Sequence, residues 1–90
     1  MNIVWEPKKA KTNFLKHQIR FSDAELVLFD PLALSREDED TEGERRFVSI
    51  GSDALGRTLV VVYTYRGKNI RLISAREATS KERKRYEKGI

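Results

Sequence analysis

Asn2 to Trp5 is a short apolar stretch that fits a strand. Pro7 then stands where a helix would begin, with its fixed φ suited to the first helical position. Ala10, Phe14 and His17 follow at helical spacing with Leu15 beside them, while Lys8, Lys11 and Lys16 lie off that stripe. The pattern predicts a short amphipathic helix with a basic wet face.

A second helix is predicted from Ser22. Ser22 and Glu25 have capping-box spacing, and Phe21 and Leu26 sit where a hydrophobic staple would. Ala24, Val27 and Leu28 supply its buried side. Asp30-Pro31 ends it, because the residue before a proline avoids helical angles. Leu32 to Ser35 reads as a short strand, and residues 37–44 form an acidic loop.

Alternation resumes at Arg46 to Gly51, with Val48 and Ile50 on one face. Ser52 to Gly56 is a turn. Arg57 to Arg66 is rich in Val, Tyr and Thr, the composition of a central strand buried on both sides. Gly67-Lys68 fits a two-residue hairpin with glycine first. Asn69 to Ser74 completes a meander. Thr79 and Glu82 form another capping box, opening a helix from Ser80 to about Lys88 with Gly89 as its C-cap. The predicted fold is α+β: a small antiparallel sheet of about four strands, two N-terminal helices and one C-terminal helix.

Ninety residues make one domain, residues 1–90, and at 39% apolar and 36% charged it buries one modest core. No apolar run approaches the roughly 20 residues of a membrane span. Glu6 interrupts the start too early for a signal peptide. There is no cysteine, which removes disulfides, thiolate metal sites and cysteine nucleophiles, and one histidine, which removes a multi-histidine zinc site. Asp38, Asp40, Glu42 and Gly43 imitate half a calcium loop, but its twelfth position is Ser49 and a strand follows, so no metal is expected. No cofactor is expected either. The expected setting is the cytoplasm.

The net charge of +4 is unevenly placed: residues 1–20 carry +4, residues 21–70 carry −4 and residues 71–90 carry +4. If the two ends share a side of the molecule, they make a strongly basic patch that attracts a polyanion.

His17 is the one side chain whose unperturbed pKa lies near neutrality. It is either a half-buried histidine bonded to backbone or a proton-transfer group. Glu44 closes the acidic loop beside Arg45 and Arg46, and is either a general base or a salt-bridge partner. Arg66, Arg71, Arg76, Arg83 and Arg85 offer planar forks suited to phosphate. Arg71 and Arg76 fall on opposite faces of a regular strand, so they converge only if the strand ends or bulges near Ser74 or Ala75. Tyr86 either packs the last helix onto the sheet or joins Arg83 at a ligand. There is no glycine-rich phosphate loop and no nucleophile elbow. These groups suit attack of an RNA 2′-hydroxyl on its neighbouring phosphate, a reaction whose nucleophile lies in the substrate.

The chain resembles the BrnT family of bacterial type II toxins, small ribonucleases with a RelE-like fold. The resemblance runs through Val4-Trp5-Glu6-Pro7, Lys11, Asn13, Lys16, His17, Phe21, Ala24 and Asp30-Pro31. It continues through Glu44 to Phe47 and Ile50-Gly51, then Arg71, Ile73-Ser74-Ala75-Arg76, Ala78-Thr79, Glu82-Arg83 and Tyr86. Glu6 stands where the family usually has Asp, and Gln18 where it usually has Gly; both concern helix ends.

The resemblance implies metal-independent RNA cleavage that blocks translation. It implies a cognate antitoxin with a ribbon-helix-helix DNA-binding part, through which the complex reaches operator DNA. A toxin dimer inside that complex is one arrangement it allows. Catalysis is then expected from His17, Glu44, Arg45, Arg71 and Arg76, and RNA contacts from Lys11, Lys16, Arg46, Arg66, Arg83 and Tyr86. The rivals are a non-catalytic RNA- or ribosome-binding module and a pure interaction protein.

Overall fold

A computed structural model describes residues 2–38 and 43–89. Its elements are β1 (Asn2–Val4), α1 (Pro7–His17), α2 (Phe21–Ala24) continued by a 3₁₀ turn (Glu25–Phe29), β2 (Leu34–Asp38), β3 (Arg46–Ser52), β4 (Thr58–Arg66), β5 (Asn69–Glu77) and α3 (Ser80–Lys88). The sheet has five strands in the order β1-β5-β4-β3-β2. β2 to β5 form the expected antiparallel meander. β1 adds a fifth strand parallel to β5, pairing Ile3 with Ile70, so the sheet is mixed.

The sheet has two unlike faces. On one, Leu59, Val61, Tyr63, Ile70, Leu72 and Ala75 pack against Ile19, Phe21, Ala24 and Val27 from the helical segment. Burying these side chains is the main stabilising term of the fold. The other face carries Val48, Ile50, Val60, Val62, Thr64 and their cross-strand neighbours. We call these the helix face and the open face. β4 is central, and Val60 and Val61 are both buried although they point to opposite sides. That is the two-sided burial its β-branched run predicts.

β5 contains a bulge. Val62 pairs with Ser74 but Tyr63 pairs with Leu72, leaving Ile73 as an extra residue. The alternation therefore inverts: Ile70 and Leu72 face the helices before the bulge, and Ala75 does so after it. Arg71, Ser74 and Arg76 consequently share the open face.

The helical segment departs from expectation. In α1 the buried residue is Asn13, while Phe14 and Leu15 are exposed and His17 lies at the exposed C-terminal end. Asn13 is drawn inward because β5 runs on past the short β1, and its bare edge needs a hydrogen-bonding partner. The side chain accepts from the Ala75 N–H and donates to the Ala75 carbonyl, both at 2.9 Å, and donates to the Ile19 carbonyl at 3.1 Å. α2 begins one residue early, at Phe21, with Arg20 at its N-cap and no side-chain cap. Ser22 therefore lies inside the helix, so the predicted capping box cannot form, and Leu26 is exposed rather than stapled to the buried Phe21. β2 begins two residues later than predicted, at Leu34, after an Asp30-Pro31 turn in which Asp30 accepts from the Leu32 N–H. β5 continues past Ser74 to Glu77.

α3 carries the predicted capping box, with both Thr79–Glu82 bonds present, and ends at Gly89 with φ 73°. It buries no residue of its own, and polar contacts tether it beside the open face. The Tyr86 hydroxyl donates to Asp30 Oδ2 at 2.5 Å, and Arg76 binds Glu82. None of the helices is long and apolar enough to cross a membrane among the described residues.

Candidate active site

Glu44, two residues before β3, lies at one end of the open face. Arg71 reaches it from β5, and its Nη2 donates to both carboxylate oxygens, at 2.9 and 3.1 Å. Arg66 from the end of β4 comes within 3.5 Å of Glu44 Oε2, and Arg46 at the start of β3 within 3.9 Å of Oε1. Glu6, just after β1, approaches Arg71 Nη1 at 3.8 Å. Three guanidiniums thus converge on one carboxylate and outnumber the two acids present. Arg71 is the most enclosed, its side chain 17% exposed, and its buried Nε has no hydrogen-bond partner among the described residues. Arg66 is the most exposed of the three, at 60%.

Arg76 lies farther along β5 on the same face. It makes a two-pronged pair with Glu82, at 2.8 and 2.9 Å. This pair, chiefly the bond from Arg76 together with the Thr79 backbone N–H, holds the Glu82 carboxyl down to about 2. Thr64 stands opposite Arg71 and Val60 opposite Arg76, four residues apart on β4, so the two arginines are about 13 Å apart along the strand. Ser74 lies between them. His17 and Lys16, at the end of α1, border a groove of about 290 Å³ that also takes in Ile73 and Ser74. The inverted alternation thus assembles Arg71, Ser74 and Arg76 on one face, with His17 at its edge.

Other candidates are elsewhere. Arg45 points to the helix face, donates to both oxygens of Glu37 at 2.8 and 2.9 Å, and lies 5.7 Å from the Phe47 ring centre. It does not join Glu44. Lys11 borders a different groove, of about 450 Å³, with Trp5, Phe14 and Phe21. Arg83 is exposed on α3, about 100° round the helix from Glu82. Tyr86 spends its hydroxyl on Asp30. Burial alone would push the Asp30 carboxyl up, but that bond and the Ser52 and Leu32 N–H groups outweigh it and hold it low, while the same bond pushes the Tyr86 hydroxyl up. Asp40 and Glu42 of the calcium-like run lie outside the described residues, and among those described no three metal-ligating side chains cluster.

Sequence reasoning missed Asn13 and Asp30 as organising residues. Asn13 gave one signal, a polar residue inside the first helix. Asp30 read only as a helix stop.

The family model of BrnT, described as the ribonuclease toxin of type II toxin–antitoxin systems, matches residues 5–82. A crystal structure at 1.1 Å of the ribonuclease toxin BrnT from Brucella abortus is similar, with 26% identity over 89% of this chain and 99% of that one, and a TM-score of 0.66. Among curated proteins, none matches the chain.

Proposed function

The chain belongs to the BrnT family of ribonuclease toxins of type II toxin–antitoxin systems, and from that premise we propose that it cleaves RNA at the Glu44–Arg71 cluster without a metal. The observation that carries this reading is the set of three arginines around Glu44 on the open face. A phosphate entering there meets cations already in place, which favours the charge that develops on its oxygens. The RNA 2′-oxygen bonds to phosphorus and the bond to the 5′-oxygen breaks. One fragment keeps a 2′,3′-cyclic phosphate and the other a 5′-hydroxyl. Glu44 accepts the 2′-hydroxyl proton as phosphate displaces it from Arg71, and His17 supplies a proton to the leaving oxygen. Arg71 and Arg66 hold the pentavalent centre, and Arg76 binds a neighbouring phosphate.

In the cell this activity stops translation in the cytoplasm. It is held in check by a cognate antitoxin with a ribbon-helix-helix part, through which the complex binds operator DNA. The test is cleavage of a defined RNA in excess EDTA, with the ends of the fragments identified. Cyclic-phosphate ends formed in chelator are expected. Activity lost in chelator and restored by magnesium or manganese would overturn the mechanism. RNA binding with no cleavage by the intact chain would favour a binding module instead.

A further inference from the structure

We infer that the groove between β2, β3 and α3 is a subsite for the nucleotide next to the scissile dinucleotide step, taking its base on an apolar floor and its phosphate between Arg36 and Arg85. The inference rests on the ribonuclease reading above and extends it. The groove measures about 360 Å³, with Leu34, Val48 and Ile50 as its floor and Arg36 and Arg85 at its sides. Register places it on the open face: Leu34 pairs with Ile50, Arg36 with Val48, and Val48 with Val62. It is therefore continuous with the candidate site. Val48 lies two residues along β3 from Arg46, about 7 Å, which is roughly one nucleotide step from the Glu44 cluster.

The chemistry of the walls selects the occupant. An unpaired base has apolar faces that every sequence shares, and it stacks or packs without a fixed hydrogen-bond pattern. Arg36 and Arg85 are exposed. Arg36 makes one long bond of 3.4 Å to the Glu37 carbonyl, and among the described residues neither arginine is taken up by a carboxylate. This distinguishes them from Arg71 and Arg76, whose forks are engaged by Glu44 and Glu82. α3 brings Arg85 to this position because Glu82 and Tyr86, on the same side of the helix, are tethered to Arg76 and Asp30. Cations on two sides of an apolar floor, next to an arginine-lined reaction site, fit a single RNA strand crossing the open face.

The test compares a dinucleotide with a heptanucleotide containing the same scissile step. It also uses a heptanucleotide made uncleavable by 2′-O-methylation, whose binding is read by fluorescence anisotropy. The variants are Arg36→Gln with Arg85→Gln, and separately Leu34→Asp. The double variant should raise KM for the heptanucleotide about tenfold or more with kcat near its starting value, and leave the dinucleotide unchanged. Its slope of log affinity against log salt should fall by about 0.7, the value for one lost phosphate contact on a single strand. Leu34→Asp should weaken the uncleavable RNA by a comparable factor. Affinity and KM unchanged for both variants would overturn the subsite. So would loss of antitoxin binding with RNA affinity unmoved, which would give the groove to the protein partner. If the chain cleaves neither RNA, the ribonuclease mechanism fails, and anisotropy still decides the groove.

Discussion

The side-chain amide of Asn13 pairs with both backbone polar groups of Ala75, 62 residues away, where no strand among the described residues covers that edge of β5. A single side chain stands in for a strand. Because the site is buried, removing the amide takes a partner from the Ala75 N–H and from two carbonyls, those of Ala75 and Ile19. Asn13→Ala should cost about 2–3 kcal/mol, a fall of roughly 10–20 °C in Tm for a domain of this size. Asn13→Asp keeps the acceptor but loses the donors, and should be no better. Thermal unfolding checks both, and a fall of only a few degrees would show that the amide is dispensable.

Glu44→Gln and Arg71→Ala should each lower cleavage by about 10²–10³, the usual loss when one group aimed at a developing charge is removed. Arg45→Ala should leave cleavage within about twofold, as expected of an exposed residue away from the site. Its partner is Glu37, on the other side of the sheet. Initial rates on one RNA, with unfolding curves alongside, separate the three. Equal losses in Arg45→Ala and Arg71→Ala would show that the open face is not where the chemistry happens.

Acid should loosen α3. The Glu82 carboxyl sits at about 2 in the folded chain against an ordinary value of 4.5. Its pKa is lowered by folding, so its contribution is complete above pH 4.5 and is lost as pH falls toward 2. Dry, the shift would correspond to about 3 kcal/mol. With Arg76 43% exposed, about 1–2 kcal/mol is expected. Asp30 is also held low by folding, so it adds to the loss in the same direction. Glu82→Gln should be less stable than the parent at pH 7 and lose less between pH 5 and pH 2. A parallel decline in both chains would remove Glu82 from the account.

Gly51 marks a close approach. A Cβ there would lie 3.1 Å from Asp30 Oδ2 and from Val27 Cγ1, and 3.2 Å from the Ala33 Cβ. Its backbone is ordinary, so the constraint is space alone. Gly51→Ala should destabilise by about 1–3 kcal/mol through overpacking, and should also weaken the Asp30–Tyr86 tether. Denaturant unfolding, with α3 followed by hydrogen exchange, tests both. A neutral substitution would show that the 3₁₀ turn yields freely.

The legible parts of the fold are those decided by neighbours in sequence. The β-branched run at residues 60–62 announces a central strand, and Thr79 with Glu82 announces a cap, because each signal is complete within a few residues. Ser22 and Glu25 carry the same local signal, yet the helix begins at Phe21, whose ring is 2% exposed in the core. Tertiary burial outweighed the cap. Asn13 was illegible as a core residue because its partner is distant. That Arg71 and Arg76 share a face was legible only as a condition, since a bulge at Ile73 leaves no mark in composition. Glu44 and Arg45 are adjacent and chemically similar in promise, and nothing local says which side of the sheet each will take.

Ile73 gives this chain an arithmetic that side-chain identity does not capture. Arg71 and Arg76 are five positions apart, an odd interval that an unbroken strand would place on opposite sides. The extra residue makes the interval even in effect. Loss of the Ile73 codon, with every candidate side chain intact, would remove the bulge and leave the two arginines four positions apart on a regular strand, still on one side. Relatives with this five-position spacing therefore need the bulge to keep both arginines on one face, whereas relatives one residue shorter between them keep it on an unbroken strand, so spacing and strand geometry across this stretch have to be read together.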